Sequence, residues 1–527
     1  MSVPKVRISL DEPTGDFWVD NGIIALYEML GEGDHNLNDA LSKVNSKLVE
    51  RRGNIGYYYD IEEETLKNYE LENWIYPTNY FIKVVPQTDK IKFKWDDCRK
   101  SGDYIICEGM RKSTKDKLSI KISLKDVEEI KKNYDKKGVV ELFLEPPRRK
   151  IEVKVGKKKG ICAICGAEDY LVKGKQWMYP FLVDSNKFGN FYSQSKGSVD
   201  LCPRCVLAGL AGYLKWIYVV GGKDYMHIFM FHSDLRTLSD LYEGILNPIF
   251  LESSGNRGRN FPLKFFGNYV HETTMGLILS LFEKLKTREG VDEDIAKMFN
   301  DFIEKSQGEL RLFAVSGKPG NAFNMNSLVE FSQFSALYRL YNLWLDSVKD
   351  IFEDANPLVI IPNVFSQFTF QIGKKRETLI RDRICWKVLT FEDPLPYIEK
   401  YLYDPKGRRL RVGTLQIFEI YVREVLKMEE RHIRMLAAIG HEIGRVSAEK
   451  GSMDVLYSLR NAKNLDEFLK VLNDINFKLG LTVNEELLRI EGDRILEVPW
   501  IRVKTLLSIY AMNEYLRNKR GNRGDEK

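Results

Sequence analysis

Glutamine and histidine are scarce in this 527-residue chain, at eight and six residues, and cysteine occurs only seven times. No stretch reaches the ~18 consecutive apolar residues of a membrane span, so none is expected. The opening MSVPKVRISLDEP has no apolar signal core, which points to a cytoplasmic protein without a secretory leader. A Walker-type phosphate loop is missing: VVGGKDY holds glycines and Lys223 but no following Ser or Thr, and no upstream glycine at the required spacing. GHEIGR begins like a zincin helix, but Arg445 stands where the second histidine belongs. There is no His-Asp dipeptide of the metal-dependent phosphohydrolase kind. His227, His232, His432 and His441 are too dispersed along the chain to read as ligands. These absences lead to the expectation of a non-catalytic protein. Few glutamines beside abundant Lys and Glu fit a high-temperature source, where charged networks replace labile amides.

What the chain does have is length, apolar content and unevenly placed charge. The hydrophobic fraction is 44% and the aromatic fraction 12%, as in a folded protein, and the length calls for two to four domains. The net charge of the whole is +5, yet Arg148–Lys159 (RRKIEVKVGKKK) alone carries seven cations against one acid. Lys374–Arg411 carries eleven against six. Such local clusters can neutralise phosphates on a nearly neutral protein; a solvated surface is the plainer reading of each.

The fold expected is α+β, with mixed N-terminal and zinc-knuckle-containing middle regions followed by a C-terminal helical bundle. The divisions fall at 1–159, 160–325 and 326–527. VDNGIIALYEML has helical apolar spacing and ends at Gly31 and Gly33. NYFIKVV, KIKFKW, VVELFLEPP and YMHIFMF read as strands. From about Asn326 helices are expected to dominate. LVEFSQFSALYRLYNLWLDSVKDIF carries a stripe of Phe331, Phe334, Leu337, Tyr338, Tyr341, Trp344, Leu345 and Val348, and TLQIFEIYVREVLKMEERHIRMLAAIGHEIGRV repeats the pattern. DEFLKVLNDINFKLG and WIRVKTLLSIYAMNEYLRN continue it, and the tail NKRGNRGDEK is expected to be disordered.

Two CxxC pairs are the sharpest motif. GICAICGAEDY supplies Cys162 and Cys165, and LCPRCVLAGLAGYLKW supplies Cys202 and Cys205. Four thiolates at such spacing suit a closed tetrahedral metal site holding structural Zn²⁺. Disulfides, common inside cells of some hyperthermophiles, or free thiols are the alternative. Gly166 suits the knuckle turn. The second pair opens an apolar helix through Val206, Leu207, Leu210 and Leu214, whose N-terminus favours thiolate charge. Four protein sulfurs leave no position for substrate, so the metal is expected to hold the chain together. Cys98, Cys107 and Cys385 read as isolated small core residues.

The long-separated double knuckle, on a chain of this size, resembles the CRISPR-associated CXXC–CXXC family, the large subunit of type I CRISPR interference (Cascade) complexes. TGDFWVDNGIIAL is similar to that family's opening, and the helical last third agrees with its bundle. The resemblance implies a non-catalytic subunit of a crRNA-guided surveillance complex in antiviral defence. It would help recognise the protospacer-adjacent motif, bind opened target DNA, and recruit the helicase-nuclease. Its partners would be crRNA, target DNA, and the backbone and crRNA-end-binding subunits. From chemistry alone, Asn256, Arg257, Arg259 and Asn260 in GNRGRNFP are candidates for base edges. Lys374, Lys375 and Arg376, with Arg408 and Arg409 of KGRRLR, are candidates for phosphate, as are Lys157–Lys159. An ordinary surface loop is the plain alternative for each. Two other classes stay open: a metal-dependent nuclease with a dispersed acidic site, and a free-standing zinc-containing nucleic-acid-binding regulator.

Overall fold

The computed structural model describes residues 4–74, 89–148, 151–175, 178–179, 199–221, 224–247, 268–287, 297, 301, 310–318, 324–351, 357–373, 375–406 and 408–524. Helix accounts for 50% and strand for 24%, with sheets and helices mixed and a helical C-terminal region. The fold is α+β as expected. Two compact units emerge: Met1–Trp216 with Ser233–Arg236 and Pro319–Asn324, and the remainder. The expected strand NYFIKVV and the loop SSGNRGRNFP lie outside the described residues.

The first unit opens with β1 (Lys5–Ile8), α1 (Phe17–Leu30), β2 (Gly33–Asn36) and α2 (Leu37–Leu48). Asp16 caps α1, its side chain accepting from the Trp18 and Val19 N–H groups, and Gly31 closes it at φ 79°. Next come β3 (Val49–Asp60), β4 (Thr65–Trp74), β5 (Lys90–Lys94), β6 (Cys98–Ser101), β7 (Tyr104–Arg111), β8 (Lys117–Ser123), α3 (Val127–Tyr134), β9 (Asp135–Lys136) and β10 (Val139–Phe143). Their sheet runs β4-β3-β10-β5-β7-β6, with β8 on β7 and β9 on β10; only β10–β3 is parallel. In β5 the lysines face outward while Ile91 and Phe93 join a core with Ile120, Ile122, Val140 and Leu142. Tyr57 fixes α3 by donating to Glu129 at 2.6 Å, and its backbone N–H donates to Tyr134 Oη at 2.8 Å.

One expectation is corrected in this sheet. Cys98 and Cys107 are directly opposed on β6 and β7 and form a disulfide. Nine positions apart in sequence, they are neighbours only through the strand register. Cys385 is a buried free thiol, as expected.

The first unit ends in short pieces: β11 (Lys159–Ile161), β12 (Glu168–Tyr170), β13 (Val172–Lys173), β14 (Asp200–Leu201) and α4 (Pro203–Ala211). β11 pairs with β12, and β13 with β14.

The second unit contains the antiparallel sheet β15 (Ile217–Gly221), β16 (Asp224–Phe231), β17 (Arg311–Lys318) and β18 (Asn324–Phe331), paired in that order. Its helices and hairpin include α5 (Val270–Thr287), α6 (Phe334–Ile351), α7 (Pro357–Ser366), β19 (Phe370–Ile372), β20 (Lys375–Glu377), α8 (Leu379–Leu389), α9 (Leu395–Leu402), α10 (Val412–Glu424), α11 (Glu430–Glu449), α12 (Asp454–Asn461) and α13 (Leu465–Asp474). The long α14 (Trp500–Gly524) follows.

The helical reading of LVEF is corrected, since these residues end β18 with Glu330 exposed and Phe331 buried in strand alternation. The α6 stripe from Phe334 to Val348 is buried, and Trp344 donates to Ile417 O of α10 at 3.1 Å. Gly440 and Gly444, one turn apart on α11, sit against α14: added Cβ atoms would lie 2.4 Å from Tyr510 Cβ and 2.3 Å from Ala511 O. The tail expected to be disordered continues α14 as far as Gly524. No helix among the described residues is long and apolar enough to cross a membrane.

Candidate metal centre

The two CxxC pairs converge. Cys162, Cys165, Cys202 and Cys205 offer sulfurs that all lie within 4.8 Å of one another. The first pair sits in the turn between β11 and β12. Cys162 N donates to Ala167 O at 2.8 Å and Gly166 N to Cys162 O at 3.0 Å. Gly166 takes φ 72°, which a side chain would disfavour. The second pair starts α4: Cys202 is its N-cap, Pro203 fills the first turn, and Cys205 N donates to Cys202 Sγ at 3.4 Å. The β13–β14 ladder, with Val172 and Leu201 buried, and an Ala163 N to Asp200 O bond of 3.0 Å bring the pairs together.

A tetrahedral cation with metal–sulfur bonds of ~2.3 Å has sulfur–sulfur edges of about 3.8 Å. The Cys165–Cys202 separation is 3.7 Å. Cys162, Cys202 and Cys205 are buried and Cys165 is half-buried. Hydrogen bonds from Cys202 and Cys205 pull the Cys162 thiol far below its usual range. The bond with Cys162 pushes Cys202 up to about 12 and Cys205 higher still. Four thiolates this close repel one another, and a cation removes that conflict while the N-terminus of α4 adds favourable partial charge. The cluster can hold a metal ion with four protein ligands. Among the described residues no other group of three or more His, Cys, Asp and Glu is placed to do so.

The remaining sequence candidates divide. Asn256, Arg257, Arg259, Asn260 and Lys374 lie outside the described residues. Lys375 and Arg376 are on β20, Arg376 exposed. Arg408 and Arg409 are exposed in the loop before α10. Lys157–Lys159 are exposed at the approach to β11, with the Lys159 ammonium 5.7 Å from the Tyr170 ring centre.

The end of the KGRRLR segment meets Gln367, just before the β19–β20 hairpin. Its Oε1 accepts from Arg411 N at 3.4 Å, its Nε2 donates to Thr414 Oγ1 at 2.5 Å, and its carbonyl accepts from Tyr401 Oη at 3.1 Å. Phe370 of β19 stacks on Tyr401 with ring centres 5.4 Å apart. The Lys406–Arg411 loop and the β19–β20 hairpin therefore spring from one place.

The histidines are not gathered. His227 is buried on β16, and His441 on α11 faces Glu514 at 3.1 Å. Arg445, in the would-be zincin position, pairs with Glu442 and Glu449.

Sequence reasoning missed a polar cluster at the start of α5. Asp382 accepts from the N–H groups of His271 (2.8 Å) and Glu272 (3.1 Å) and lies 3.1 Å from His271 Nδ1. Buried Glu272 pairs with Arg381 at 2.5 Å and accepts from Thr378 at 2.8 Å. No sequence spacing links these groups, which lie more than a hundred residues apart.

No model of a known protein family matches the chain, and a search of curated proteins returns no match.

Proposed function

We propose that this chain is the non-catalytic large subunit of a type I CRISPR surveillance complex, helping to recognise the protospacer-adjacent motif and to bind opened DNA, with a structural zinc in the four-cysteine cluster. The observation that carries the reading is the union of its two signatures. TGDFWVDNGIIAL forms the start and body of α1, and α1 rests on α4, the helix that begins with the second CxxC pair.

The contact is intimate. Trp18 Nε1 donates to Gly209 O at 2.7 Å, and an added Cβ on Gly22 would lie 1.8 Å from Ala208 O. Asp20, fully buried, accepts from Thr14 N and Oγ1 at 2.7 Å and from Gly15 N at 3.0 Å, fixing the turn that leads into α1. Arg204, between the two cysteines of the second pair, donates to Glu12 O at 2.5 Å. An opening motif and a knuckle that belong to one family are expected to be built into one core in this way.

Zinc is the cation proposed because four thiolates in a tetrahedral set match its preference. Bound there, it would cross-link the two knuckles, with Cys162, Cys165, Cys202 and Cys205 as its four ligands. Exposed Arg376, Arg408 and Arg409 support contact with nucleic-acid backbone.

Reconstitution tests the reading. Guide RNA and partner subunits are assembled with and without this chain and titrated with duplex DNA bearing or lacking the motif. Motif-dependent binding should be lost on omission, and the chain should copurify with RNA of guide length. Binding that is unchanged on omission overturns the proposal. Metal-dependent cleavage by the chain alone would replace it with the nuclease reading.

A further inference from the structure

We propose that an unpaired nucleotide strand lies across the outward face of α8 and the β19–β20 hairpin, a base stacking on Trp386 and phosphates meeting Arg376 and Arg383. The inference rests on the nucleic-acid reading above and gives it a specific surface.

Leu379, Arg383, Trp386 and Lys387 recur at four-, three- and one-residue steps and form one stripe of α8, while Ile380, Ile384, Cys385 and Val388 are buried on the other side. Leu379 is 44% exposed and Arg383 is exposed. Two cations sit over the half-buried ring: Lys387 Nζ is 4.3 Å and the Arg383 guanidinium carbon 5.4 Å from its centre. His271 lies on the ring as well, with centres 5.8 Å apart and planes tilted by 35°.

The hairpin leads directly into this stripe. Because Phe370 turns toward Tyr401, its neighbours of opposite alternation, Gln371 and the opposed Arg376, take the other face. Arg376 thus brings an exposed guanidinium to the strand that runs directly into Leu379, Arg383 and Trp386.

The acids nearby are already engaged. Asp382 binds His271 and the start of α5, Glu272 binds Arg381, and Glu377 accepts from Tyr269 Oη at 3.2 Å and Leu379 N at 2.8 Å. Glu392 holds Lys387. Among the described residues Arg376 and Arg383 form no ion pair, whereas Arg423, Arg434 and Arg445 of this unit all do. An aromatic ring beside Arg383, whose guanidinium has no ion pair, with exposed Arg376 on the strand leading into the helix, is the chemistry of a sequence-tolerant single-strand site.

Fluorescein-labelled (dT)20 and (U)20 are titrated by anisotropy against the full-length chain in low salt. R376E/R383E should weaken binding about tenfold or more and flatten its salt dependence. W386L should weaken it about tenfold with the salt slope retained, since stacking carries no counterions. R434E, which breaks an existing ion pair elsewhere, should leave binding unchanged. Loss on either strand supports the site and tells which sugar it takes. No binding by the unmodified chain, or equal binding by R376E/R383E, overturns it. The surface-charge variant keeps the test valid if W386L folds poorly. Motif-dependent duplex binding by the assembled complex is read separately, so this site can fail without the proposed function failing.

Discussion

Trp18 and Gly209 are joined by a 2.7 Å hydrogen bond across 191 positions of sequence. The indole of Trp18 is fully buried and meets Tyr213 and Trp216 edge-on at 4.8 and 5.2 Å. Tyr179 closes the same pocket, donating to Asp16 at 2.6 Å. The residue that caps α1 is thus also held by a side chain from the segment between the two CxxC pairs. The N-terminal segment and the helix that carries Cys202 and Cys205 are packed into one core, so closure of the four-cysteine cluster is expected to depend on α1.

Gly22→Ala tests that coupling. Its methyl would meet the Ala208 carbonyl at 1.8 Å, and both partners are helix backbone with no side chain to move aside. Overpacking of this kind costs about 3 kcal/mol or more. The variant should unfold at clearly lower temperature and lose metal together with structure. A melting temperature within one degree of the unmodified chain would refute the close approach.

Local signals were legible in the sequence, and register was not. α1 could be read from its apolar spacing and from Gly31 and Gly33; β5 from lysine alternation; the knuckles from cysteine spacing. Each needs only neighbours in sequence. The Cys98–Cys107 pair could not be read, because it depends on which residues of β6 and β7 stand opposite. LVEF was misread because apolar residues near a helix start satisfy either period over four residues. The long pattern from Thr414 to Val446 concealed a break: α10 ends at Glu424, and Lys427 takes φ 59° before α11 begins. The contact of Arg411 with Gln367 is tertiary and left no trace in spacing.

Cys162→Ser with Cys202→Ser removes one ligand from each pair. Elemental analysis of the unmodified protein should find about one zinc per chain, and the double variant should hold none. Structural zinc contributes on the order of 10 kcal/mol to small domains, so the variant should lose solubility and assembly. A thiol-reactive mercurial should release the ion from the unmodified chain. Purification without chelator that yields metal-free, stable protein would sink the centre.

The β6–β7 disulfide is checked by counting thiols. Denatured, metal-stripped protein should titrate five thiols without reductant, those of Cys162, Cys165, Cys202, Cys205 and Cys385. Reduction should expose Cys98 and Cys107 as well. A loop this short gains about 2–3 kcal/mol from cross-linking on chain-entropy grounds. Cys98→Ser with Cys107→Ser should therefore lower thermal stability modestly and leave the metal in place. Seven thiols before reduction would remove the bond.

His227 sets an acid limb to stability. It is fully enclosed on β16, and burial pushes its pKa down to about 3 from 6.5. Between those values the unfolded chain binds a proton that the folded chain refuses. Stability from the neutral imidazole is therefore complete above pH 6.5 and falls as pH drops toward 3, by about 1.4 kcal/mol per pH unit. His227→Gln keeps hydrogen-bonding capacity but cannot titrate. Denaturant melts at pH 7.0, 6.0, 5.0 and 4.0 should show a shallower decline for this variant than for the unmodified chain. Parallel declines would mean that the protonated ring is accommodated inside the sheet.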